Sequence, residues 1–168
     1  MPSTYELIAS ATVGSGGIAS VTFSSIPSTY TDLVLKTSAR STFFYIGVKL
    51  NGSTTGYSKR SITGSGTTVT SSAESSTASY TQTLLSQNDA ALANTFNNAE
   101  IYFPNYSSAN DKSYSIDTVQ EDNATGAYMQ LAAVLWANSA AITSIGLTAD
   151  GPLILQHSTF YLYGIKSS

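Results

Sequence analysis

Apolar and polar residues alternate along this chain in short runs with a period of two, the pattern of half-buried β-strands. Tyr5, Leu7, Ala9, Ala11 and Val13 alternate with polar or small residues and predict a first strand. Gly14-Ser15-Gly16-Gly17 supplies positions that tolerate positive φ, the chemistry of a hairpin turn, and Ala19, Val21 and Phe23 form the return strand. Ile26-Pro27-Ser28 interrupts it, because proline cannot donate to a β-ladder. Strands follow over Asp32 to Arg40, with Leu33 and Leu35 on one face, and over Tyr45 to Leu50, with Ile46, Val48 and Leu50 inward. Asn51-Gly52 closes the second of these as a turn.

Residues 53 to 79 break the rhythm. Ser, Thr and Gly dominate, with Tyr57, Ile62 and Val69 as the apolar anchors. A long excursion is predicted there, with one short strand near Tyr57–Ile62 and another near Thr67–Thr70. Asp89-Ala90-Ala91-Leu92-Ala93, within the stretch Leu84 to Phe96, offers the single short helix.

Regular alternation then resumes. Glu100 to Phe103 places Ile101 and Phe103 together and stops at Pro104-Asn105; Ser113 to Val119 sets Tyr114 and Ile116 against Ser115 and Asp117. Tyr128 to Trp136 puts Met129, Leu131, Ala133 and Leu135 on one face, with Trp136 a core or rim residue. Ile142 to Leu147 and Thr159 to Ile165 complete the set. Eight to ten strands at this spacing, with scarcely a helix, predict an all-β antiparallel sandwich of jelly-roll type over residues 1–168, as one domain.

Composition sharpens the picture by what it lacks. Of 168 residues 28 are Ser and 22 Thr, while charged residues make up only 10%, well below the usual quarter. Polarity therefore comes from hydroxyls and amides, suited to solvent-facing strand positions, and low charge leaves few guards against edge-to-edge association. A chain of this length buries about 70% of its unfolded surface. The net charge of −3 and the pI near 4.8 argue against nucleic acid. Lys59-Arg60, the one adjacent basic pair, reads as a solvated strand end. There is no Cys, hence no disulfide framework or thiolate metal site. Met1 to Glu6 has neither the basic start nor the apolar core of a signal peptide, and no apolar run reaches the roughly 20 residues of a membrane helix. Synthesis in a cytoplasm and no membrane partner are expected.

Catalytic chemistry finds little to build on. His157 is the only histidine, and no Gly-x-Ser-x-Gly elbow surrounds any serine. Glycoside hydrolysis needs two carboxylates across a cleft, and nothing selects a pair among the ten acids, Glu100, Asp117 and Glu121 included. Asp117, Glu121, Asp122 and Asn123 form the densest oxygen-rich stretch but lack the register of a calcium loop and read as a solvated turn. Tyr102, Tyr106, Tyr128, Tyr161 and Tyr163 suit either the rims of a sandwich or a contact surface, since tyrosine gives large area with a polar tip. Three Asn-x-Ser/Thr triplets, at Asn51, Asn105 and Asn123, follow from the composition. No enzyme activity, metal or cofactor is expected.

Four stretches carry a resemblance: Phe23-Ser24-Ser25-Ile26-Pro27-Ser28-Thr29-Tyr30-Thr31-Asp32-Leu33, Ile101-Tyr102-Phe103-Pro104-Asn105-Tyr106, Leu135-Trp136-Ala137-Asn138-Ser139-Ala140-Ala141-Ile142 and Leu162-Tyr163-Gly164-Ile165. In this order they resemble phrases of small virion structural proteins of tailed phages, notably marine and cyanobacterial ones, with 53–95 the least similar stretch. The phrases encode strands and turns rather than a site. The resemblance implies a capsid cement (decoration) protein on the head surface, clustered as a homotrimer, with the major capsid protein as partner. The alternative it implies is a tail-fibre or receptor-binding module that holds host glycan. A first strand by about Tyr5 leaves no shaft segment and favours cement. The expected contact residues are Pro2, Tyr5, Leu7, Tyr57, Lys59, Arg60 and Ile62, from the N-terminal residues and the 53–80 excursion.

Overall fold

The structure is a computed structural model that describes residues 4–78, 84–85, 90–123 and 127–166. Among these residues there is no helix, and twelve strands run in the order β1 Tyr5–Thr12, β2 Ser20–Phe23, β3 Asp32–Ala39, β4 Tyr45–Leu50, β5 Tyr57–Ser65, β6 Thr68–Ala78, β7 Leu84–Leu85, β8 Asn97–Phe103, β9 Lys112–Gln120, β10 Tyr128–Trp136, β11 Ile145–Ala149 and β12 Thr159–Ile165. All pairings are antiparallel. One sheet has eight strands in the order β1-β12-β3-β8-β9-β10-β5-β6, and the other has four in the order β2-β11-β4-β7.

Eight of these strands form a jelly roll. With β5, β6, β9 and β10 set aside, the first strand pairs the last (β1 with β12), the second the seventh (β2 with β11), the third the sixth (β3 with β8) and the fourth the fifth (β4 with β7). The β9–β10 pair and the β5–β6 hairpin then extend the first sheet beyond β8, so that half of it lies outside the basic roll.

The core lies between the sheets. Ile46, Val48 and Leu50 of β4 and Ile145 and Leu147 of β11 join Leu33, Leu35, Ile101, Phe103, Ile116, Phe160 and Leu162 in one cluster of essentially inaccessible side chains. Asn97, also fully buried, accepts from Ala39 N at 3.1 Å and donates to Thr118 Oγ1 at 3.3 Å, so its amide does not go unpaired inside the sandwich. Trp136 belongs to this core, stacked on Tyr57 at 6.3 Å between ring centroids.

Several sequence expectations change. The glycine turn after β1 is not a hairpin: β1 pairs with β12, and β2 lies in the other sheet. Gly16 and Gly17, both at positive φ, instead carry the chain across, and Ile18 bridges to Ile154. A Cβ on Gly17 would stand 2.7 Å from the Ile154 carbonyl oxygen, so only glycine fits this crossing. The alternation of β1 does not hold one face either. A register shift between Leu7 and Ala9 turns Tyr5 and Leu7 outward, while Ala9, Ala11 and Val13 pack on the core. The expected excursion over 53–79 is a hairpin as far as Ala78: the short strands expected near Tyr57–Ile62 and Thr67–Thr70 are parts of the nine-residue β5 and the eleven-residue β6, whose register shifts between Tyr57 and Lys59. Of the helix expected at Asp89–Ala93, Asp89 lies outside the described residues and 90–93 form turns and bends leading to Asn94 at positive φ.

Candidate functional site: two faces of the extended sheet

Strand pairing places residues in rows across the eight-stranded sheet, and the rows define two faces. On the inner face the rows run Tyr114–Val134–Lys59 beside Glu74, Ile116–Ala132–Ser61–Ser72 and Thr118–Gln130–Thr63–Thr70. Each begins on β9 and ends on β6. Along each row the side chains change from core residues to hydroxyls, an amide or an ion pair. Beyond β10, therefore, the inner face is polar in these three rows, while Tyr57 at the start of β5 still packs on the core.

A cavity of about 350 Å³ opens on this polar face. Its floor is Lys59, Ser61, Thr63, Thr70, Ser72, Glu74 and Gln130; Phe44, Tyr45 and Tyr128 form the rim. Lys59 Nζ lies 2.8 Å from Glu74 Oε1, which makes the floor electrically neutral. Gln130 is only 7% exposed, and its Nε2 donates to Thr63 Oγ1 at 2.9 Å. Its Oε1 is buried with no hydrogen-bond partner. Phe44 and Tyr128 meet edge to face, 6.5 Å apart at 74°. Burial raises the Tyr45 hydroxyl above its usual pKa, with the Glu74 carboxylate adding to the effect, so this phenol is neutral near pH 7.

One row of the outer face has the opposite gradient. Over the basic roll, beside a row of Tyr163, Val34 and Tyr102, it carries Lys36 and Glu100, paired at 3.0 Å, with Asp117 next. In the extension that row continues with Leu131 and Ile62, and the neighbouring row reads Val119, Met129, Gly64 and Val69. Leu131 is 61% exposed, Met129 62%, Ile62 57% and Val69 72%. The Met129–Leu131–Leu135 side of β10 thus faces solvent, whereas Gln130, Ala132, Val134 and Trp136 point inward.

The expected contact residues are divided between these surfaces. Arg60 and Ile62 are on the outer face of β5, and Tyr5 and Leu7 are exposed at the far edge of the same sheet, where Tyr5 meets Tyr163 edge-on at 6.2 Å. Pro2 lies outside the described residues. Lys59 is buried on the cavity floor. Tyr57 is buried as well: its hydroxyl accepts from Leu50 N at 2.8 Å, and burial pushes its pKa up to about 12. Tyr57 presents no surface to a partner.

The remaining candidates take structural places. Tyr106 is fully buried and donates its hydroxyl proton to Pro27 O. Tyr102 donates to Asp32 Oδ2 at 2.8 Å, and Asp32 Oδ1 accepts from Asn105 N at 2.8 Å. His157 sits in the turn before β12 at positive φ, its backbone N–H donating to Val13 O at 2.9 Å. Asn51, Asn105 and Asn123 all adopt positive φ, and Asn51 and Asn105 lie in turns. Glu121 Oε1 accepts from Asn123 N at 2.7 Å, closing the acidic stretch on itself. Among the described residues no three His, Asp or Glu side chains gather as metal ligands, and no helix is long and apolar enough to cross a membrane. Gln130, Glu74, Phe44 and Tyr45 were not singled out by sequence; the pairing of β10, β5 and β6 brings Gln130 and Glu74 together, and Phe44 and Tyr45 reach them from the start of β4 in the other sheet.

Comparison of the chain with protein-family models, with curated proteins and with solved structures finds no match.

Proposed function

We propose that this protein is a non-enzymatic cement protein of a tailed-phage head, which docks on the major capsid protein through the outer face of its extended sheet. The observation that carries the reading is the uncharged apolar strip of Ile62, Val69, Val119, Met129 and Leu131, exposed side by side on the outer face of the extension. Val69, Val119 and Met129 also line a hollow of about 490 Å³ at the end of the strip, into which a partner side chain could insert. Exposed apolar groups set together in this way are a common mark of protein contact. Among the described residues β6 borders the strip as the edge strand of the sheet. The resemblance of Phe23–Leu33, Ile101–Tyr106, Leu135–Ile142 and Leu162–Ile165 to virion proteins supplies the setting. Clustering as a homotrimer would multiply modest contacts over many copies per particle.

The test is the position and occupancy of the protein on the phage that encodes it. Cryo-EM should place it on the head with the β10–β5–β6 face against capsid subunits. Ile62→Asp and Leu131→Asp proteins, folded as judged by circular dichroism, should lose occupancy on heads. Density on the tail, or undiminished occupancy of both variants, would overturn the reading.

A further inference from the structure

We infer that the cavity between Phe44, Tyr128 and the β5–β6 hairpin is a binding site for a single neutral saccharide unit, independent of where on a particle the protein sits. Size is the first ground. The cavity, about 350 Å³, lies at the lower end of small-ligand pockets. It admits one ring or a chain end, not an extended polymer along its whole length.

Chemistry is the second ground. Ser61, Thr63, Thr70 and Ser72 provide hydroxyls that both donate and accept. Gln130 adds a buried carbonyl oxygen without a partner, an acceptor that a ligand O–H would satisfy at short range. An unpaired buried acceptor costs about 1–3 kcal/mol, so a ligand that completes it gains that term. Aliphatic or aromatic ligands would leave the floor unsatisfied. A sugar offers what both parts of the site require: hydroxyls for the floor and an apolar C–H face for the Phe44 or Tyr128 ring.

Charge is the third ground. Lys59 is already matched by Glu74 at 2.8 Å, and no other Lys or Arg lines the cavity; Arg60 is on the opposite face of β5. A phosphate, sulfate or sialic-acid group would meet no free cation. Hydrolysis is also unsupported, because Glu74 is the one carboxylate among the lining residues and two are needed to cleave a glycosidic bond. The site binds and does not cut.

Saturation-transfer NMR and calorimetry on the full chain would test this with the methyl glycosides of glucose, galactose, mannose and N-acetylglucosamine, each to about 50 mM, a range that reaches millimolar dissociation constants. Sialic acid and inorganic phosphate serve as charged probes. At least one neutral glycoside should bind. Phe44→Ala, at an exposed rim position, should weaken it about fivefold to tenfold, as expected for loss of one aromatic contact. Gln130→Leu, which removes the buried acceptor, should weaken it further. Absence of binding by all four glycosides would overturn the inference. So would tighter binding of either charged probe, or neutral binding indifferent to both substitutions. Failure here leaves the capsid reading standing, since the outer strip and this cavity are on opposite faces of the sheet.

Discussion

Lys59 and Glu74 face each other across the β5–β6 hairpin with Nζ and Oε1 2.8 Å apart, and they do so on the inner face of the sheet. Lys59 is buried, whereas the Glu74 side chain is about a third exposed. Removing one partner leaves the other charge in a poorly hydrated place; removing both leaves no such charge. Glu74→Gln and Lys59→Met should therefore each destabilise by about 1–3 kcal/mol, while the double variant should lose less than the sum. Urea unfolding of the four proteins gives the coupling. Additive losses would mean that the pair is not coupled in solution.

Leu131 and Val134, three residues apart on β10, test which way this strand faces. Leu131 is outward and exposed beside Ile62; Val134 is inward and buried beside Tyr114. Leu131→Thr should change stability by no more than about 0.5 kcal/mol. Val134→Ala removes two buried methyl groups and should cost about 2 kcal/mol. The reverse order in thermal unfolding would show the strand inverted.

That orientation was the least legible part of the fold. β3, β4 and β12 were readable because one side of each alternation is plainly apolar and the partner strands agree: Leu33, Leu35, Leu162 and Phe160 meet in one core. In β10 both sides are apolar, Met129, Leu131 and Leu135 against Ala132, Val134 and Trp136. The larger total on the first side says nothing about direction. Neighbouring rows decide it, because Tyr114, Ile116 and Tyr57 can line only the side that carries Trp136. The full length of the β5–β6 hairpin was hidden for a related reason. Its Ser and Thr side chains occupy both faces, so the period of two exists in the backbone without an apolar trace, although threonine suits a pleated strand. The cavity was beyond sequence reading altogether, since Lys59, Glu74 and Gln130 are joined by sheet order rather than by spacing and Phe44 reaches them from the other sheet.

Gly164 explains itself through Tyr30. A Cβ at this position would lie 2.3–2.5 Å from three atoms of the Tyr30 ring, which therefore packs directly on the glycine of the last strand. Gly164→Ala should force the ring away and destabilise the protein by about 1–3 kcal/mol, despite the better strand propensity of alanine. Gly164→Ala combined with Tyr30→Ala, which removes the clash, should recover part of the loss in the same denaturation assay.

Asn51 ties the β4–β5 turn to the segment before β11. Its Oδ1 accepts from Thr143 N at 2.8 Å and Ser144 N at 3.1 Å, and its Nδ2 donates to Ala141 O at 2.8 Å, all at a φ of 51°. Asn51→Gly keeps the left-handed backbone and loses the clamp; Asn51→Ala loses both. The glycine variant should cost about 1–2 kcal/mol, and alanine should cost about 1 kcal/mol more. Equal losses would mean that the backbone conformation at this turn contributes nothing.

Alkaline pH should act through Tyr57 and Tyr114. Burial pushes the Tyr57 hydroxyl up to about 12, and Tyr114, fully enclosed, rises well above its ordinary value of 10.0. In the unfolded chain both phenols lose their protons near pH 10, so above that pH the unfolded state binds fewer protons than the folded one. Stability from these groups is complete below pH 10 and declines as pH rises toward 12, at up to about 1.4 kcal/mol per pH unit for each tyrosine. Urea midpoints should be insensitive to these two residues between pH 7 and 9 and should fall steeply from pH 10. Tyr114→Phe, which removes a hydroxyl that has no hydrogen-bond partner, should flatten that fall without lowering stability at pH 7. Tyr57→Phe should also flatten it but start from a less stable protein, because Leu50 N loses the acceptor it now has at 2.8 Å. An alkaline profile unchanged by both substitutions would place the titrating groups elsewhere in the chain.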